Sequence, residues 1–154
     1  LGLCLQSYLR RTEDDLDNLL PLDPSIRLVK GAYKEAKELA YPHKREVDEH
    51  YFTLSRTLLH ARLNGGMARP VIATHDTRMI ESVNRMAVEL GVGKDDYEFA
   101  MLYGIERQEQ NRLVGLGHVV RVLISYGSSW FPWYMRRLAE RPANVWFVAK
   151  QLFR

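Results

Sequence analysis

Apolar positions along the chain fall into two alternating periods. Short apolar runs recur at Leu1–Tyr8, Arg27–Gly31, Pro70–Thr74, Tyr97–Leu102 and Val119–Tyr126, and each is followed by a segment with helical spacing. In one such segment Ile80, Val83, Ala87 and Leu90 recur at helical intervals, with Asp76 placed to cap the amino end and Gly91 just past the other. A longer helix is predicted over Lys44–Leu63, with Val47, Tyr51, Leu54 and Leu58 on one face and Gly65 and Gly66 ending it. Tyr41 and Pro42 before it read as loop. After the last strand, Gly127–Pro132 predicts a turn into a helix through Arg136 and Arg137, which Pro142 stops before Asn144 caps a final helix.

Strands alternating with helices predict an α/β fold with a parallel sheet. Two architectures compete, a (β/α)8 barrel and an open doubly wound sheet. The first βα turn lacks the glycine fingerprint of a dinucleotide-binding sheet, and the strand ends carry bulky polar groups, which favours the barrel. Such a barrel takes ~250 residues. Five β/α units therefore predict a partial (β/α)8 barrel, a single domain over residues 1–154. The chain enters its first apolar run without a start methionine or leader, so the expectation is a fragment whose amino-terminal barrel units are missing.

Composition narrows the picture only a little. The formal charge of +3 is modest and opposite signs alternate, as in KEAKELAYPHKREVDEH, so a nucleic-acid footprint is not indicated. No apolar run is long enough for a transmembrane helix. The single cysteine, Cys4, excludes an internal disulfide, fits a reducing compartment, and is expected to be a small buried hydrophobe.

In a barrel the active face lies at the carboxyl ends of the strands. Gln6, Tyr8, Lys30, Gly31, Tyr33, Thr74, His75, Leu102, Tyr103 and Tyr126 all fall there. Arg27 and Lys30 are separated by an odd number of positions and are expected on opposite faces; either could meet an anionic cofactor or a structural carboxylate. Gly31 either admits a close approach to the backbone or simply ends a strand. His75 has three readings: a ligand donor, a cofactor-binding side chain or a satisfied core imidazole. Metal-ligand spacing is absent around it. Arg136 and Arg137 project about 100° apart on a helix and could grip one carboxylate. The WFPWY run before them is too apolar for a solvated surface and suggests a pocket for an apolar body with an anionic end.

The motifs LQSYLRRT, RLVKGAYKE, ATHD, YEFAMLYGI and YMRRLAERPAN, in this order, resemble those of the proline dehydrogenase family over essentially the whole chain. The resemblance implies barrel strands four to eight and the final helices. It implies FAD as cofactor, contacted by Gln6, Arg27, Val29, Lys30, Gly31, Ala32, Thr74 and His75, with Glu140 orienting the arginine and flavin end. It also implies L-proline as substrate, its carboxylate held by Arg136 and Arg137 and its ring lined by Tyr33, Leu102 and Trp133. Oxidation to 1-pyrroline-5-carboxylate, a quinone acceptor, and a cytoplasmic location or peripheral association at the inner membrane face follow from the same resemblance. One departure stands out: Leu123 occupies the position where the family usually has a tyrosine against the substrate ring. Hydroxyproline or another cyclic amino acid is therefore an alternative substrate. A non-catalytic FAD-binding fragment and a folate-reductase-like flavin barrel are the competing functions, and the paired arginines argue against the latter.

Overall fold

Strand alternation sorts the side chains of this protein into two environments. The computed structural model describes residues 2–31, 33, 35–66, 68–132 and 135. Strands β1 (Gly2–Gln6), β2 (Ser25–Val29), β3 (Val71–Ala73), β4 (Glu98–Leu102) and β5 (Val119–Leu123) form one parallel sheet in the order 1-2-3-4-5. Helices α1 (Thr12–Leu19), α2 (Lys44–Leu63), α3 (Thr77–Leu90) and α4 (Arg107–Gly115) fill the connections, with a 3-10 turn at Leu20–Leu22. Ile26, Leu28, Ile72, Phe99 and Met101 point to the helical side and are buried there. They meet Tyr51, Leu54 and Leu58 of α2 and Ile80, Val83 and Ala87 of α3 in one core. Each such Leu, Ile or Phe contributes about 1.5–3 kcal/mol through its removal from water.

The strand order separates the two architectures. Right-handed crossovers that always step in one direction leave every helix on the same face. A doubly wound sheet reverses direction at a switch point, and this sheet never reverses. Its opposite face carries no helix among the described residues, and in the barrel wall that this strand order builds it is the concave one.

The long helix spans Lys44–Leu63 as its spacing predicts, and Glu46 Oε2 accepts from the His43 N–H at 3.2 Å to fasten its first turn. Val47 is only half-buried; His50, Ser55 and Leu59 join Tyr51, Leu54 and Leu58 on the packed face. In α3, Asp76 accepts from the Arg78 N–H at 3.2 Å and Gly91 closes the helix with φ 78°. Four strands are shorter than their apolar runs, whereas β2 has the expected length but starts two residues earlier than Arg27, at Ser25. Gly31, at φ 100°, turns the chain out of β2, and β5 ends at Leu123, where the Tyr103 N–H donates to the Leu123 carbonyl at 3.0 Å. Tyr126 consequently lies beyond the strand and is exposed.

Cys4 departs from expectation. It is exposed, because Leu3 and Leu5 take the helical side of β1 and leave Cys4 on the concave side beside Arg27.

Candidate functional site

Register parity brings Gln6, Arg27, Val29, Leu102 and Leu123 to the concave face of the sheet. Gln6 pairs with Val29, Cys4 with Arg27, and Leu102 with Leu123, while the intervening pairs keep the same parity across β3. Leu102 and Leu123 thus sit side by side at the carboxyl edge. No side-chain hydrogen bond or ion pair joins the Arg27 guanidinium to another described residue, and Arg27 borders a cavity of ≈ 580 Å³ with Cys4, Arg69, Val71, Glu98 and Arg121. That cavity opens toward the amino half of the strands, where a complete barrel is filled by its own side chains. Buried Glu98 there accepts from Arg121 Nε and Nη2 at 2.8 and 2.6 Å, with Arg69 Nη1 at 3.6 Å. Three arginines against one carboxylate leave this wall cationic.

Lys30 points the other way, as its odd separation from Arg27 requires. Only 7% exposed, its ammonium lies 2.6 Å from Asp48 Oδ1 on α2 and 3.0 Å from Asp76 Oδ2 at the cap of α3. Lys44 joins Asp48 from the preceding turn. Burial alone would raise both carboxyl pKa values, but the hydrogen bonds and charge of Lys30, helped by Lys44, outweigh it and hold both below the usual range. Of the readings open for Lys30, its side chain therefore adopts the structural ion pair. Asp48 was not singled out in the sequence; it lies four residues from Lys44 on one helix face, but its contact with Lys30 spans a crossover.

The Thr74–Asp76 corner is fastened locally. Thr74 Oγ1 accepts from the Asp76 N–H at 3.1 Å, and His75 Nε2 accepts from the Leu102 N–H at 2.9 Å. The second bond fixes Nε2 as the unprotonated nitrogen of a neutral ring. It also ties the end of β3 to the end of β4, so His75 positions Leu102.

At the end of β2, the approach that Gly31 permits is made by Tyr8. A Cβ on Gly31 would overlap the Tyr8 ring at Cδ1. Tyr8 is buried in this contact, and burial, then the nearby Glu35 and Tyr33, push its phenol pKa up. Tyr33 is 52% exposed on the loop that follows. The turn expected after β5 leads into helix at residues 130–132, where Trp130 and Phe131 are exposed rather than enclosed, because no other described residue packs over them. Ala32, Trp133, Arg136, Arg137 and Glu140 lie outside the described residues, as does the final helix expected at Asn144.

A one-sided wall of parallel β/α units, with polar and aromatic groups at the carboxyl ends of its strands, defines a protein of the β/α-barrel class. A family model described as proline dehydrogenase matches residues 1–150. The chain belongs to the proline dehydrogenase family. It is 49% identical over 146 residues to proline dehydrogenase 2 of Bacillus subtilis subsp. natto, covering 95% of this chain and 46% of that protein. It is 44% identical over 154 residues to proline dehydrogenase of Deinococcus radiodurans, covering 100% of this chain and 48% of that one. The chain thus spans about half the length of the curated relatives it matches. Among solved structures, proline utilization A from Bdellovibrio bacteriovorus, inactivated by N-propargylglycine, superposes with a TM-score of 0.79 at 28% identity, over 88% of this chain and 16% of that one. No helix among the described residues is long and apolar enough to cross a membrane.

Proposed function

We propose that a complete barrel containing this chain oxidises L-proline to 1-pyrroline-5-carboxylate with FAD as the oxidant. The observation that carries this reading is the match of the family model to residues 1–150, joined to 49% identity with a named proline dehydrogenase. The donor set on the concave face suits a flavin. Arg27 offers a guanidinium with no described carboxylate partner, on the same face as Gln6 and Val29. When bound, FAD would supply the two-electron acceptor for the hydride leaving the carbon beside the secondary amine.

The residues of the chain would then bind and orient. Arg27 would lie against the isoalloxazine where negative charge grows, stabilising it without solvent rearrangement. Gln6, Val29, Gly31, Ala32, Thr74 and His75 would line the cofactor, with Glu140 orienting the arginine end of the site. The side chain of Lys30, held by Asp48 and Asp76, would support this edge of the site and leave contact to its backbone. Arg136 and Arg137 would clamp the carboxylate, and Tyr33, Leu102, Leu123 and Trp133 would enclose the ring. Their combined effect is to fix one C–H bond toward the cofactor. A quinone is the proposed electron acceptor, and a cytoplasmic protein associating peripherally with the inner membrane face is the proposed location.

A second reading rests on Leu123. An aliphatic side chain beside Leu102 leaves more room over the substrate ring than a tyrosine would, which favours hydroxyproline or a related cyclic amino acid. Anaerobic reduction tests both. A complete barrel carrying this chain is purified with FAD, and the oxidised-flavin absorbance is followed after adding L-proline or hydroxyproline. Bleaching by L-proline is expected. Bleaching by hydroxyproline alone would replace the substrate, and an inert flavin would overturn the reaction.

A further inference from the structure

The loop between β2 and α2 leaves the sheet and returns at the same residue. The Tyr8 N–H donates to the Lys30 carbonyl at 2.9 Å, and the Tyr8 carbonyl accepts from the Tyr41 N–H at 2.8 Å. Tyr8 thus holds the two ends of this connection together, as the ends of an Ω-loop are held. The outgoing limb carries Gly31 and Tyr33. The returning limb is gripped by one residue of the neighbouring β1–α1 connection, through both its backbone and its side chain. The Arg10 N–H donates to the Leu39 carbonyl at 3.0 Å, and Arg10 Nε donates to the Lys37 carbonyl at 3.3 Å. The Arg10 guanidinium carbon stands 4.6 Å from the centre of the Tyr41 ring. The ring of buried His50 meets Tyr41 at 5.1 Å in a T-shaped contact, and Leu9 bridges Ala40. His50 is itself anchored, with Nδ1 2.6 Å from the Ser7 carbonyl.

We propose that Arg10 is a positioning residue. By clasping Lys37, Leu39 and Tyr41 it fixes the returning limb of the loop, and through the shared anchor at Tyr8 it sets where Tyr33 stands relative to the substrate ring. This rests on the reading of the site as a proline oxidase. Arg10 acts through two backbone carbonyls and one aromatic face. Arg10 stands within the LQSYLRRT motif, but this role was not legible there, because Arg10 and Tyr41 are distant in the chain and an arginine after a strand is ordinarily solvent-facing.

The test uses a complete, FAD-loaded barrel carrying Arg10→Ala, Arg10→Lys or Tyr41→Leu. An exposed cation on an aromatic face accounts for roughly a threefold change in an equilibrium. Arg10→Ala is therefore expected to raise the KM for L-proline about threefold, with kcat per bound flavin little changed. Arg10→Lys, which keeps a cation for the ring, should recover part of that rise. Amide hydrogen exchange at Tyr41 should accelerate in Arg10→Ala, a readout that needs no turnover. If Arg10→Ala fails to fold, Tyr41→Leu decides, with the same rise in KM expected. An unchanged KM in the folded variant, or a raised KM with unchanged Tyr41 exchange, would overturn the proposal. Failure of L-proline to bleach the parent flavin would instead overturn the reading of the reaction, and Tyr41 exchange would still report on the clasp.

Discussion

Gly31 is a residue whose identity is set twice, by a backbone at φ 100° and by the Tyr8 ring lying where a side chain would start. Gly31→Ala should lower stability by about 1–3 kcal/mol, seen as an earlier urea midpoint, because the strained backbone and displaced ring both count against it. An unchanged midpoint would mean the loop relaxes freely. The sequence marked Gly31 but left open what approaches it, since Tyr8 and Gly31 belong to different strand ends and meet only across the β1–β2 pair. Leu123 was legible for another reason: it breaks a family pattern. Its register pairing with Leu102 places it on the concave edge. In a complete barrel, Leu123→Tyr is expected to shift the ratio of kcat/KM for L-proline over hydroxyproline by about tenfold toward proline, as one filled contact in a pocket can. An unmoved ratio would remove Leu123 from the specificity of the site.

Among the elements, helices α2 and α3 were readable almost to the residue because their caps and apolar stripes lie within single segments. The strands were readable as strands but not in length, since their ends depend on where a neighbour stops offering partners. What the sequence could not supply is the joint between elements. Lys30 at the end of β2 binds Asp48 of α2 and the capping Asp76 of α3, so one buried ammonium locks a strand to two helices. Both carboxyls titrate below their ordinary value of 3.8 when folded. The folded form thus holds their charge more firmly than the unfolded form does. The contribution is fully present above the ordinary carboxylate range and is lost as pH falls through the lowered values. Melting temperatures recorded from about pH 5 downward should therefore drop, and Asp76→Asn should show a shallower drop from a lower starting point. Parallel profiles for parent and variant would show that the pair does not link protons to folding.

For the whole molecule, the shape of the wall is the main fact. Its helical side is a packed core, and its concave side leaves Cys4, Arg27 and Arg121 exposed beside buried Glu98. The barrel class was legible from β/α alternation and the missing dinucleotide fingerprint. The exposure of Cys4 was not, because an apolar run does not reveal which of its two faces is covered. Strands β1 and β5 each present an unpaired edge among the described residues. The 154-residue chain expressed by itself is accordingly expected to show little or no proline-dependent flavin reduction and to associate through those edges, whereas the same residues in a complete barrel should turn over. Robust turnover by the chain in isolation, measured as bleaching per flavin, would contradict this. The strand order has a further consequence, for the way the protein is made. Because each strand pairs with the one before it, every β/α unit emerging from the ribosome finds its partner already synthesised. Assembly can proceed in step with translation, and only the closing seam of a barrel must wait for a contact between distant parts of the polypeptide.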